Sequence, residues 1–132
     1  MSTATEKFNK NYIEVVKVIE KDFSDLKRGD KMLISSPRSI AKYIKRIPYG
    51  KEKTIKLMRQ ELAKFSSADN TCPLTTGIFL RIAIEASIET QNGDKPDLPF
   101  WRVINARSPI TKKLSISKND LIYLRSVEGL IE

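Results

Sequence analysis

From Phe8 to Phe23 the apolar residues Tyr12, Val15, Val16 and Ile19 fall at i, i+3, i+4 and i+7, which predicts an amphipathic N-terminal helix across the outside of the domain. A turn at Arg28-Gly29-Asp30 then leads into a short apolar run, Met32 to Ile34, that reads as an edge strand. The stretch "SPRSIAKYIKRIPYG" predicts a second helix, with Ser36 as N-cap, Pro37 at its first position and a stop at Pro48 and Gly50. Its apolar face is Ile40, Ala41, Tyr43, Ile44 and Ile47, which leaves Arg38, Lys42 and Lys45 as an outward basic ridge. Thr54 caps a third helix over 55–65, with Leu57, Met58, Leu62 and Phe65 expected inward and Lys56, Arg59 and Lys64 in water.

After the polar turn "SSADNT", Pro73 opens a fourth helix, "CPLTTGIFLRIAIEASIE", apolar nearly all round except for Arg81, Glu85 and Glu89. Such a helix belongs at the centre of a domain. A helix, a short polar turn and a second helix entering the core is the order of a helix-turn-helix. The segment "TQNGDKPD" (90–97) reads as a loop. "FWRVI" (100–104) and "KKLSI" (112–116) read as two short wing strands joined by "NARSPIT", and Ser117 with Asp120 starts a last helix through Val127. The expected fold class is therefore mainly α with a small β wing: a winged helix-turn-helix with an extra N-terminal helix. One domain spans 1–132, with the N-terminal helix and short strand in about 1–35 and the winged-helix part in about 36–130.

Composition narrows the chemistry. A chain of 132 residues suffices for one core without a disulfide or metal staple. Cys72 stands alone, which suits a reducing compartment, and its first reading is a small buried apolar residue. There is no His, which removes Ser-His and Cys-His nucleophilic sites and most zinc sites. No metal or cofactor is expected. Without an apolar run near the length of a membrane span or an apolar stretch behind the N-terminus, the chain reads as soluble and cytoplasmic, with no membrane partner. The net charge of +8 is concentrated, since residues 31–66 hold ten cations against two anions. A second, acid-free basic stretch runs from Arg107 through Lys112 and Lys113 to Lys118. Two separated basic segments in a small domain point to a polyanion surface.

"IPYG" (47–50), two helices, "PFWRV" (99–103) and a late "EG" (128–129) together resemble the DNA-binding winged-helix domain of the alkyltransferases that repair alkylated guanine. In that family a Pro-Cys-His-Arg-Val segment carries the alkyl-accepting cysteine. Here the matching residues are Pro99, Phe100, Trp101, Arg102 and Val103. A phenyl ring accepts no alkyl group and an indole N–H is only a donor, so transfer to this position is excluded. The resemblance is closer to the alkyltransferase-like proteins, which bind DNA without the acceptor cysteine. It is closest to a group of small bacterial proteins with a "TCPxTTGIF" segment, matched by "TCPLTTGIF" (71–79), and covers roughly residues 8–130. The repair enzymes flip a nucleotide with a Tyr early in the first helix of the motif and an Arg from the second. Ile55 stands at the Tyr position, Pro73, Leu74 and Thr75 lie near the Arg position, and Ile116 and Ser117 replace a glycine pair before the last helix.

The resemblance and the basic charge together imply a non-catalytic, monomeric binder of double-stranded DNA that senses alkylated or otherwise damaged guanine, with a repair protein as a further partner. The expected contacts are Thr75 and Thr76 at a helix N-terminus, the cations Arg38, Lys42, Lys45, Lys53, Lys56 and Arg59, then Arg102, and Lys112 and Lys113 of the wing. Phe100 and Trp101 are candidates for a base-stacking pocket, with core packing as the alternative. Two other classes stay open. One is an enzyme using Cys72 as a thiolate at a helix N-terminus. The other is a winged-helix protein-interaction module whose basic surface meets an acidic partner.

Overall fold

In the computed structural model, which describes residues 3–132, five α-helices accompany a small three-stranded sheet, so the chain is mainly α with a small β part. The first helix, α1 (Ala4–Phe8), is one turn long and opens on a capping box between Thr3 and Glu6. Strand β1 (Val15–Val18) pairs antiparallel with β2 (Lys31–Ile34), Val15 opposite Ile34 and Val18 opposite Lys31. Strand β3 (Asn70–Thr71) then adds to β2 in parallel, so that β2 lies in the middle.

These strands correct two expectations. The N-terminal helix predicted over 8–23 ends at Phe8, and β2 is the central strand rather than an edge. The run Ile13, Val15, Val16, Val18 and Ile19 is β-branched and gains a hairpin partner across the turn, where Gly29 takes a φ of +92°. Every residue of β1 remains exposed, so there was no core surface to hold the amphipathic helix that the spacing suggested.

The next helices form where expected. α2 (Pro37–Lys45) is capped by Ser36, α3 (Ile55–Phe65) by Thr54, and α5 (Lys118–Val127) by Ser117, each hydroxyl accepting a backbone N–H one turn on. α4 (Pro73–Glu89) runs through the middle, with Leu80, Ala83 and Ile84 buried against Ile40 and Ile44 of α2, Met58 and Leu62 of α3, and Leu121 of α5. A smaller cluster of Leu26, Met32 and Cys72 closes the sheet end, so the only cysteine is a buried apolar residue. On α3 the inward face is rotated from the expected one. Arg59 is buried, whereas Leu57 and Phe65 are exposed.

The predicted wing strands are not strands. Phe100–Arg102 and Pro109–Lys113 are 3-10 turns, and the three-stranded sheet lies wholly in the first 71 residues. The reason is local. Pro99 and Pro109 each begin a turn closed by i to i+3 bonds, such as Val103 N–H to Phe100 C=O at 3.0 Å. Phe100, Trp101, Val103 and Ile104 are all buried, a pattern that a half-exposed strand with alternating faces could not give.

Candidate nucleic-acid interface

The first half of α4 has one face in the core and one in solvent. Leu80 and Thr76 turn inward, while Leu74 (64% exposed), Gly77, Ile78 (50% exposed) and Arg81 lie along the open side. This face lines a cleft of about 920 Å³, walled by Lys7 and Lys10 near α1 and by Pro109, Ile110 and Lys113 of the second 3-10 turn. Two clamps hold the walls. Glu89 accepts the Ala4 and Thr5 N–H groups and the Thr5 hydroxyl at 2.7 to 3.0 Å, which seats α1 on α4. Those bonds from Thr5 hold the Glu89 carboxyl below its ordinary range. Glu85 accepts the Ser115 N–H and hydroxyl, tying the segment after the second turn to the same helix.

Lys7, Lys10, Arg81 and Lys113 form no ion pair among the described residues, and Glu85 is the one carboxylate lining the cleft. The N-terminus of α4 adds to the positive field, since Pro73 occupies its first position and Cys72 gives no side-chain cap. Gly77 sits on the cleft face with nothing within 4 Å of where a Cβ would stand, so no neighbour in the fold requires a glycine there.

The expected site residues divide sharply. Lys113 lines the cleft, and Lys112 and Lys56 are exposed on the elements flanking it. Arg38, Lys42 and Lys45 are exposed on α2 as expected but do not line this cleft; Lys42 lines a separate cavity, and Arg38 reaches Asn9 at 3.3 Å. Thr75 is half-buried with its hydroxyl unpartnered, and Thr76 is buried with its hydroxyl bonded to the Cys72 carbonyl, so Thr76 offers nothing to a ligand.

Three of the expected cations are engaged within the fold. Arg59 is buried, forks onto both Asp25 oxygens at 2.7 and 2.9 Å and donates to the Thr71 carbonyl. That fork lowers the Asp25 carboxyl below its ordinary value. Lys53 is held by Glu61 at 3.0 Å. Arg102 donates to both Glu128 oxygens and to the Ile47 carbonyl.

Phe100 and Trp101, the candidate stacking rings, are 0% and 2% exposed and do not line the cleft. They meet edge to face at 5.4 Å, and the Trp101 ring N–H donates to Glu128 at 2.7 Å. The same carboxylate accepts the Gly50 N–H at 2.9 Å, so "IPYG", "FWR" and "EG" converge on one buried acid. Burial opposes ionisation of Glu128, but Arg102, the Gly50 N–H and the Trp101 N–H outweigh it and hold the group at about 2. Beside it Arg125 is buried, its guanidinium shared among Glu52, Glu132 and the carbonyls of Trp101, Ile104 and Ile131.

Sequence reasoning missed Lys7, Lys10 and Arg81 as a group. The two lysines were hidden by the misplaced N-terminal helix. Arg81 carried a signal, as the first of three charged positions on an otherwise apolar helix. Among the described residues no helix is long and apolar enough to cross a membrane. Comparison of the chain with family models, with curated proteins and with solved structures finds no match.

Proposed function

We propose that this chain is a non-catalytic DNA-binding protein of the alkyltransferase-like kind, in which α3 and α4 act as the helix-turn-helix and residues 105–116 take the place of a wing. The observation that carries this reading is the open cleft along α4, ringed by four cations that have no ion-pair partner among the described residues. Phosphates supply the missing charge, with the uncapped helix end as an additional donor of N–H groups. The absence of His and the buried Cys72 thiol support a binding role over a catalytic one. The buried rings at Phe100 and Trp101 argue that any preference for damaged guanine comes from the cleft and not from stacking on them.

Leu74 and Ile78, exposed one turn apart in the same cleft, favour a second reading, a protein partner that lays an acidic, partly apolar segment along α4. Fluorescence anisotropy with a short duplex, with and without one alkylated guanine, over a salt series separates the two. The DNA reading expects saturable binding whose affinity falls steeply with salt. Absence of binding to either duplex at low salt would shift the assignment to a protein partner.

A further inference from the structure

A second cavity, of about 310 Å³, opens between the end of β2, α2 and α3, and it shares no lining residue with the α4 cleft. Its floor is apolar, from Leu33, Ile47 and Leu62. Phe65 lines it while 75% exposed, so most of that ring is open to an incoming planar group. Lys42 of α2 and Arg46, the residue that caps its end, lie one turn apart on its wall, exposed and without an ion-pair partner among the described residues.

The carboxylates of this cavity are already committed. Glu14 accepts the hydroxyls of Ser36 and Ser39, and Glu61 accepts the Tyr43 hydroxyl at 2.6 Å and Lys53 at 3.0 Å. Burial together with Glu61 raises the Tyr43 phenol, which therefore stays a neutral donor to that carboxylate. Two cations, one aromatic ring and the hydroxyl of Ser35 remain unused. Ser35 is 2% exposed, lines the cavity and has no hydrogen-bond partner for its hydroxyl. A buried hydroxyl without a protein partner is free to bond to a ligand that reaches it.

We infer that this cavity binds a single nucleotide unit, its base stacked on Phe65 over the apolar floor and its phosphate held by Lys42 and Arg46. The volume lies at the small end of the range for ligand pockets, about 300 to 1,000 Å³, which admits one nucleotide and not a duplex. A base on an aromatic ring beside paired cations is the chemistry of single-nucleotide recognition. The nucleotide can arrive free or as one unit of a single strand, and both present the same base and phosphate.

Titration of the isotope-labelled full chain with adenosine 5′-monophosphate, inorganic phosphate and a short single-stranded oligodeoxyadenylate, followed by amide chemical shifts, tests this. The expected result is saturable binding of the monophosphate with shifts centred on Ser35, Lys42, Arg46 and Phe65. Phe65→Ala and Arg46→Gln, both at exposed positions, are each expected to weaken it about tenfold at unchanged melting temperature. Arg81→Gln with Lys113→Gln is expected to leave it intact, so failure of the α4 reading and failure of this one are distinguishable. A strand that binds at least about tenfold tighter than the monophosphate identifies the strand as the source, and the reverse ranking identifies the free nucleotide; both support the site. The inference is overturned if neither ligand saturates, or if inorganic phosphate binds as tightly as the monophosphate and Phe65→Ala changes nothing.

Discussion

Two ends of this molecule use charge in opposite ways. Around Glu128 the charged groups are spoken for: the buried Glu128 carboxylate serves Trp101, Arg102 and Gly50, and the buried Arg125 beside it is shared among two carboxylates and three carbonyls. Along α4 the cations Lys7, Lys10, Arg81 and Lys113 line an open cleft without forming ion pairs among the described residues. A saturated buried network fixes structure, because each member is costly to strand. On the proposed reading, phosphates from outside the fold complete the unsaturated surface.

The largest break in this contrast is expected from Glu128→Ala. It strips the largely buried Arg102 guanidinium of its carboxylate and leaves the Trp101 and Gly50 N–H donors unpaired, and should lower stability by about 3 to 5 kcal/mol in urea denaturation. Acid should do nearly as much without a mutation. The Glu128 carboxyl is held at about 2 in the fold against 4.5 for the free side chain. Its contribution is therefore complete above 4.5 and is lost as pH falls from there towards 2, an interval worth on the order of 3 kcal/mol. Denaturation midpoints measured through this range should show the loss, and Glu128→Gln should flatten it. Trp101→Phe removes one donor to the same carboxylate and some volume, for roughly 1 to 3 kcal/mol.

Gly77→Ala tests the other region and should act in the opposite direction. A mid-helix glycine costs about 1 kcal/mol relative to alanine. Since an added Cβ meets nothing within 4 Å, thermal denaturation should show a gain of that order.

Local signals along the chain were reliable where local physics decides. The caps Ser36, Thr54 and Ser117 each lie within a turn of the N–H they bind, and the helices they open were legible. Partners distant in sequence were not. Arg59 counted as a free cation because its acid, Asp25, lies 34 residues back, and Arg102 because Glu128 lies 26 residues ahead. The N-terminal spacing fitted a helix, yet the same valines satisfied a hairpin once Lys31–Ile34 offered a ladder. The expected wing failed for a different reason: Pro99 and Pro109 favoured tight turns, which carried both Phe100 and Trp101 into the core where a strand would have divided them. The cleft itself was the least legible feature, since it joins residues from α1, α4 and the second 3-10 turn that no single motif links.

The measurement closest to the central claim is the salt dependence of duplex DNA binding by the native chain and by a Lys7→Gln, Arg81→Gln, Lys113→Gln variant, read by anisotropy. Because these side chains form no ion pairs among the described residues, stability should change by less than about 0.5 kcal/mol. Each lost phosphate contact should reduce the slope of log affinity against log salt by about 0.9, with affinity falling accordingly. An unchanged affinity and slope in a folded variant would contradict the assignment of the α4 cleft as the DNA-binding surface.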